Sequence, residues 1–237
     1  MKLDELSIFF PFWNEEKNIE KVVTSAIPVA HQFAKKWEII MVDDGSKDKT
    51  KKVAEGLLEK HKNLRLVSHT PNRGYGSALR EGFQAAKYDT VVFADGDGQF
   101  DFSEVGKFAA EINSCDIVIG FRKKRRDQKI FKRLLLMNLL KIWDFALFHF
   151  YFKDIDCGFK MFKKSALEVI SPLRSEGAMI TTEILAKATK RKLQIKQVGV
   201  EHYPRKYGEQ TGANIPVIIR AVLESFILWW DIKNSRF

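Results

Sequence analysis

Two carboxylates one residue apart, Asp95 and Asp97, stand directly behind the apolar run Val91-Val92-Phe93-Ala94, and an amide, Gln99, follows two residues on. A buried strand that ends in Asp-x-Asp-x-Gln projects hard oxygen ligands at one rim of a sheet. Such oxygens suit Mg²⁺ or Mn²⁺, and a cation held by few protein ligands shares its remaining positions with substrate phosphates. The same residues also suit a solvated turn, since Asp and Gly are common turn formers. The pattern recurs twice. Leu6 to Pro11 leads into Phe12-Trp13-Asn14-Glu15, and Trp37 to Val42 leads into Asp43-Asp44-Gly45-Ser46. Three apolar runs ending this way are harder to dismiss as turns than one.

Bringing these ends together takes a particular frame. Apolar runs predict strands over 6–11, 37–42, 64–67, 90–94 and 116–120. Helices are expected between them: one with Ile19, Val22, Val23, Ala26 and Ile27 on a single face, one from Thr50 to about Lys62, and one from Ala78 to Ala86. Strand and helix alternating at this spacing give an α/β fold, a largely parallel central sheet covered on both faces. Ligands of such sheets lie outside the carboxyl ends of the strands, where the acids fall. No Walker sequence is present, and Gly74-x-Gly76 lacks the full dinucleotide fingerprint.

With 237 residues, 45% of them hydrophobic, the chain can bury a full core in one large domain. Its net charge of +10 implies an anionic partner: nucleic acid, a phosphorylated ligand or an acidic membrane surface. Cys115 and Cys157 form no ligand spacing and are expected to be core thiols in a reducing compartment. The N-terminus lacks the shape of a signal peptide, and no eighteen apolar residues run uninterrupted.

Past Gly120 the character changes. Residues 122–133 hold eight basic side chains against Asp127, and behind them 134–152 is apolar except for Asn138, Lys141, Asp144 and His149. A wide apolar face beside a basic run suits an amphipathic helix lying in a membrane interface. A helix packed on its own domain or in a dimer is the alternative. The tail from Val217 to Trp230 repeats the theme, with Arg220 and Glu224 spaced to pair and Trp229-Trp230 meeting a charged edge. Between these segments, a helix is expected around Thr181 to Lys190 and a strand within Leu193 to Tyr203. The polar loop from Pro204 to Gly212 is long enough to fold over a phosphate as a lid, or to be an ordinary surface loop.

Taken together, these residues resemble family 2 glycosyltransferases with the GT-A fold. Pro11-Phe12-Trp13-Asn14-Glu15 resembles their opening motif, Val42-Asp43-Asp44-Gly45-Ser46 with Thr50 their second, and Asn72-x-Gly74 their third. Asp95-x-Asp97-x-Gln99 is similar to the metal site of the branch typified by dolichol-phosphate mannosyltransferase. Gly120-Phe121-Arg122, Lys153-Asp154, Gly158-Phe159-Lys160 and the loop from Arg205 to Thr211 resemble further elements of that branch. The resemblance runs from about Leu6 to Thr211 and implies a Rossmann-like GT-A sheet with amphipathic interfacial helices. Residues 1–121 would form the nucleotide-sugar half of a single catalytic domain, and 122–237 the acceptor and membrane half.

The resemblance also assigns roles. Pro11, Trp13 and Glu15 would hold the nucleoside and Asp43 the base or ribose. Asp95 would face the ribose or metal, while Asp97 and Gln99 would ligate Mg²⁺ or Mn²⁺. Arg122 and Arg205 would neutralise the donor diphosphate and the attacking phosphate, with Arg133 a further contact to the acceptor phosphate. Trp13 for tyrosine, Lys160 for arginine and Gln210-Thr211 for serine-lysine depart from the family pattern. The implied reaction transfers a sugar, with inversion, from GDP-mannose or a UDP-hexose to a polyprenyl or dolichyl phosphate. A phosphate acceptor is already ionised near neutral pH and needs no strong base. Hydroxyl-glycosylating relatives carry a Glu-Asp pair late in the domain, and here that helix has Thr181-Thr182-Glu183. Transfer to a glycan hydroxyl with Glu183 as base is the alternative enzyme, and a silent membrane-binding scaffold the alternative outside enzymes. A nucleic-acid partner would explain the charge but not the metal-type carboxylates. The expected setting is peripheral, on the cytoplasmic face of an anionic membrane, with a membrane-protein partner to supply what the chain lacks.

Overall fold

The computed structural model describes residues 2–124, 143, 145–208 and 215–234. Arg133, the basic run beyond Lys124, the apolar stretch 134–142 and lid residues Glu209 to Gly212 lie outside the described residues, as does the Arg220 side chain.

Seven strands form one sheet in the order β3-β2-β1-β4-β6-β5-β7. They are β1 (Leu3–Phe12), β2 (Ala34–Asp44), β3 (Leu64–His69), β4 (Thr90–Ala94), β5 (Ile117–Arg122), β6 (Phe159–Lys163) and β7 (Ile195–Val200). All run parallel except β6, which is antiparallel to both β4 and β5. Register sets the rim. Phe12 lies opposite Asp43, and Phe9 opposite Phe93, so the acids that end β2 and the first acid beyond β4 emerge level with the end of β1.

Among the described residues, seven α-helices cover the faces: α1 (Ile19–Phe33), α2 (Thr50–Leu58), α3 (Tyr75–Ala85), α4 (Val105–Glu111), α5 (Lys164–Ile170), α6 (Met179–Lys190) and α7 (Ile215–Lys233). Successive side chains of a strand point to opposite faces, so Phe9 and Phe10 enter different cores. Phe10 and Phe12 pack with α1, Phe102, Phe108 and Phe159 on one side. Phe9 and Phe93 pack with Phe83 of α3 and Phe162 of β6 on the other, with Phe9 and Phe83 edge to face at 5.1 Å. Both cysteines are buried free thiols, as expected.

Several expectations shift. The second helix ends at Leu58 rather than near Lys62, and the third starts three residues early, at Tyr75, because Gly74 turns the chain with φ 96°. Strand β6 has no counterpart among the expected strands. It is five residues long and carries Lys160 at a fully buried position, which breaks the apolar signature of an interior strand. Among the described residues no helix is long and apolar enough to cross a membrane. Helix α7 buries Leu228 and Ile232 and leaves Leu223, Phe226, Ile227 and Trp230 exposed.

Candidate active site

The turns after β1 and β2 are laced to each other. Asn14, at φ 55°, donates its backbone N–H to Ser46 Oγ at 2.9 Å and accepts the Lys47 N–H at 2.8 Å. The Glu15 N–H donates to Thr50 Oγ1 at 2.8 Å, and that hydroxyl donates to Asp48. Asp43 is buried and accepts from the Ser46 N–H and Ser68 Oγ. Its neighbour Asp44 holds the third loop, taking hydrogen bonds from Asn72 Nδ2 and the N–H groups of Arg73 and Gly74 at 2.8–3.0 Å. Pro11 is buried at the strand end, while Trp13 stands 41% exposed beside it.

Asp95 is fixed from three sides. Its N–H donates to Gly158 O at 2.9 Å, which continues the β4–β6 ladder past Ala94. The Tyr75 hydroxyl donates to Oδ1 at 2.7 Å. The carboxylate lies flat against Gly158, where an added Cβ would come within 1.9 Å of Oδ2. Burial, and then the Asp97 charge, push the Asp95 carboxyl up to about 7, against the pull of Tyr75, Lys160 and Arg122. Burial and the Asp95 carboxylate hold the Tyr75 phenol well above its ordinary value, so it remains a donor. Lys160 is buried beneath, donating Nζ to Ile155 O at 3.0 Å and to Cys157 O; burial pulls its ammonium below the ordinary value.

The expected cations differ in how they are engaged. Arg122 grips Asp154 bidentately, Nε to Oδ2 at 2.7 Å and Nη2 to Oδ1 at 2.8 Å. Burial opposes its charge, but the Asp154 carboxylate outweighs burial and holds the guanidinium above its ordinary value. Arg205, in the segment after β7, pairs with Glu15 Oε1 and lies 3.5 Å from Asp97 Oδ2. It thus links the first motif to the third strand end of the rim. Burial raises the Glu15 carboxyl, against the Asn18 amide and Arg205. Gln99 donates its amide nitrogen to Tyr203 O at 2.9 Å, which ties the same segment down and turns the amide oxygen the other way.

Glu183 sits elsewhere. Its oxygens accept the Arg174 N–H (2.9 and 3.0 Å), the Ser175 N–H (2.7 Å) and Lys187 Nζ (2.8 Å). Burial alone would raise it, but Lys187 and Ser175 more than compensate and hold it below the ordinary value. A carboxylate so occupied is a weak base.

Pro11, Trp13, Glu15, Asp43, Asp95, Asp97, Gln99, Arg122 and Arg205 therefore share one rim. Tyr75, Asp154 and Gly158 were not singled out as site residues. Only the chain-neighbour glycines of Tyr75, and the motif letters around Asp154 and Gly158, signal them. The donor set suits a divalent ion: Asp95 is held against its charge by burial and then by the Asp97 carboxylate, and a cation beside the pair would relieve both. Among the described residues no group of three or more His, Cys, Asp or Glu side chains is set for a metal. Two carboxylates and an amide oxygen fit an ion that keeps positions for other oxygens.

The mostly parallel sheet, with acids along its carboxyl rim, has the GT-A fold of sugar-transferring enzymes. The model of glycosyl transferase family 2 matches residues 7–170, and the chain belongs to that family. Its curated relatives include the dolichyl-phosphate β-glucosyltransferases of Saccharomyces cerevisiae (30% identical, over 92% of this chain and 71% of that protein), Dictyostelium discoideum (34%, 82% and 65%) and Homo sapiens (30%, 83% and 66%). The chain thus spans about two thirds of the length of these relatives. Among solved structures, the glucosyl-3-phosphoglycerate synthase of Mycobacterium tuberculosis, with Mn²⁺, UDP and glucosyl-3-phosphoglycerate, aligns with a TM-score of 0.67. The alignment covers 95% of this chain and 80% of that one at 21% identity, a likeness of fold.

Proposed function

We propose that this glycosyltransferase moves a glucosyl unit from a nucleoside-diphosphate glucose, UDP-glucose first among candidates, to a dolichyl or polyprenyl phosphate with inversion. The observation that carries this reading is the state of Glu183. The residue best placed in sequence to deprotonate a hydroxyl is buried and occupied by two backbone N–H groups and Lys187. An acceptor here must bring its own ionised oxygen, as a phosphate does. The names of the relatives support the same acceptor and sugar.

In this reading Pro11, Trp13 and Glu15 line the nucleoside, and Asp43 meets the base or ribose. Asp95, Asp97 and Gln99 would hold Mg²⁺ or Mn²⁺, which when bound supplies positive charge against the departing diphosphate. Arg205 leaves Glu15 and Asp97 to take up the diphosphate, and its charge counts most in the water-poor rim. Arg122, half-balanced by Asp154, meets the acceptor phosphate as a fixed charge, and Arg133, outside the described residues, is assigned to the same phosphate by the family resemblance alone. About residues 1–121 form the donor half and about 122–237 the acceptor half, with Arg205 reaching from the second half to the donor diphosphate. The exposed apolar face of α7 supports a peripheral seat on a membrane; the cytoplasmic side, an anionic surface and a membrane-protein partner belong to the same proposed setting.

The test is a donor screen with purified protein, Mn²⁺ and a short polyprenyl phosphate in detergent. Lipid-linked glucose from UDP-glucose is expected. Nucleotide release without lipid product would overturn the acceptor assignment, and product only from GDP-mannose would overturn the donor.

A further inference from the structure

The clamp that disqualifies Glu183 as a base gives it another part. Helix α6 grips the 171–177 loop with two side chains one turn apart: Glu183 accepts the N–H groups of Arg174 and Ser175, and Lys187 Nζ donates to Pro172 O at 2.5 Å. The other side of that loop meets the start of α3 backbone to backbone. The Gly76 N–H donates to Glu176 O at 2.7 Å, and Arg80 donates to Ser175 O. There is no slack in this contact. A Cβ on Gly76 would fall 2.3 Å from Ser175 O, and one on Gly74 2.6 Å from Glu176 O. Between those glycines stands Tyr75, whose hydroxyl holds Asp95 Oδ1 at 2.7 Å. Away from α3 the loop borders a cavity of about 220 Å³ lined by Arg174, Ser175, Lys187, Leu228 and Asp231, so it has room to retreat once released.

We infer that Glu183 is a positioning residue of the transfer site: it fixes the 174–176 backbone where that backbone meets Gly74 and Gly76 and thereby sets where Tyr75 holds the Asp95 carboxylate. This rests on the proposed reading of Asp95 as a ligand of the donor's divalent cation. The chain of contacts runs from a buried carboxylate through paired backbone groups to one phenol and one acid. Its links are short hydrogen bonds or contacts too close for a side chain, so a shift at one end is carried to the other rather than absorbed.

The experiment measures Mn²⁺ binding by electron paramagnetic resonance in the presence of UDP, with no turnover required. Glu183→Gln keeps one acceptor oxygen and the shape. It is expected to weaken Mn²⁺ binding about 10-fold, the scale of losing a group that orients a metal ligand. Tyr75→Phe is expected to weaken it similarly, and the double variant little further, because both act through one carboxylate. Should Glu183→Gln not fold, Arg80→Ala loosens the same loop from the α3 side and is expected to weaken binding in the same direction. If wild type binds Mn²⁺ and Glu183→Gln (or Arg80→Ala in its place) binds it equally well, the positioning role is overturned while the metal reading stands. Additive losses in the double variant overturn it too. If wild type binds no Mn²⁺ with UDP, the metal reading fails and takes this inference with it. In the transfer assay, loss of the acidic limb of the pH–rate profile in Glu183→Gln with Mn²⁺ binding intact would make Glu183 a base instead.

Discussion

Gly158→Ala puts the geometry around Asp95 under direct stress. The new methyl would lie 1.9 Å from Asp95 Oδ2, 2.2 Å from its carboxyl carbon and 2.4 Å from Oδ1, so no rotation of the carboxylate avoids it. Real Cβ contacts essentially never fall under 3.0 Å, which obliges one partner to retreat by about 1 Å. Gly158 lies between Cys157 and Phe159, both fully buried, and its carbonyl is held by the Asp95 N–H. The side chain that yields is therefore Asp95, which must stretch or break its 2.7 Å bond from Tyr75. A 1 Å error at a reacting centre costs roughly 100-fold in rate, and overpacking costs about 1–3 kcal/mol of stability. The assay pairs kcat for lipid-linked sugar formation at saturating Mn²⁺ with the thermal midpoint. The expected result is a fall of roughly 100-fold in kcat in a protein that still melts cooperatively, a few degrees lower. Full activity in a folded Gly158→Ala protein would refute the claim that Asp95 must sit where it does.

Other perturbations probe the same rim. Between its ordinary 3.8 and about 7, Asp95 binds more protons in the folded than in the unfolded chain, so its contribution to stability falls as pH rises through that window. Without metal, the melting temperature of wild type should therefore drop relative to Asp95→Asn between about pH 4 and pH 7; a constant gap contradicts the raised carboxyl. Arg205→Ala should cut kcat roughly 100- to 1,000-fold, and Arg205→Lys should recover part of it, whereas an effect confined to stability would leave Arg205 a structural strut for Glu15. Ile227→Glu with Trp230→Glu should weaken flotation with anionic liposomes, while Val169→Glu, on exposed α5 surface, should not. Equal flotation of all three would remove the membrane role of α7.

What was legible in the sequence is what is local. The five strands expected between Leu6 and Gly120 and the acids behind three of them needed only apolar runs broken by carboxylates, and parallel register then aligned Phe12 with Asp43 and brought Asp95 level with them. Strand β6 was not legible, because Lys160 looks like a surface residue. Its charge is satisfied by the carbonyls of Ile155 and Cys157, groups every sequence has and none displays. The role of Glu183 stays open in the sequence for a like reason: besides Lys187, its partners are the backbone N–H groups of a loop eight and nine residues away.

The arginines carry this argument furthest. Arg122 and Arg205 look alike as letters, each a cation beyond a strand in a motif-like setting. Arg122 shares a buried bidentate pair with Asp154, 32 residues away, with side chains 9% and 4% exposed. Breaking such a pair would strand a buried carboxylate, a cost of several kcal/mol, so Arg122 reaches any anion only as a fixed, partly neutralised charge. Arg205 is less buried and rests on Glu15 and Asp97, groups the proposed donor and its cation would themselves engage. Binding can therefore exchange its partners without leaving Asp97 uncompensated. On the proposed reading, the cation that turns to the leaving diphosphate is therefore Arg205, and Arg122 is the one that stays fixed.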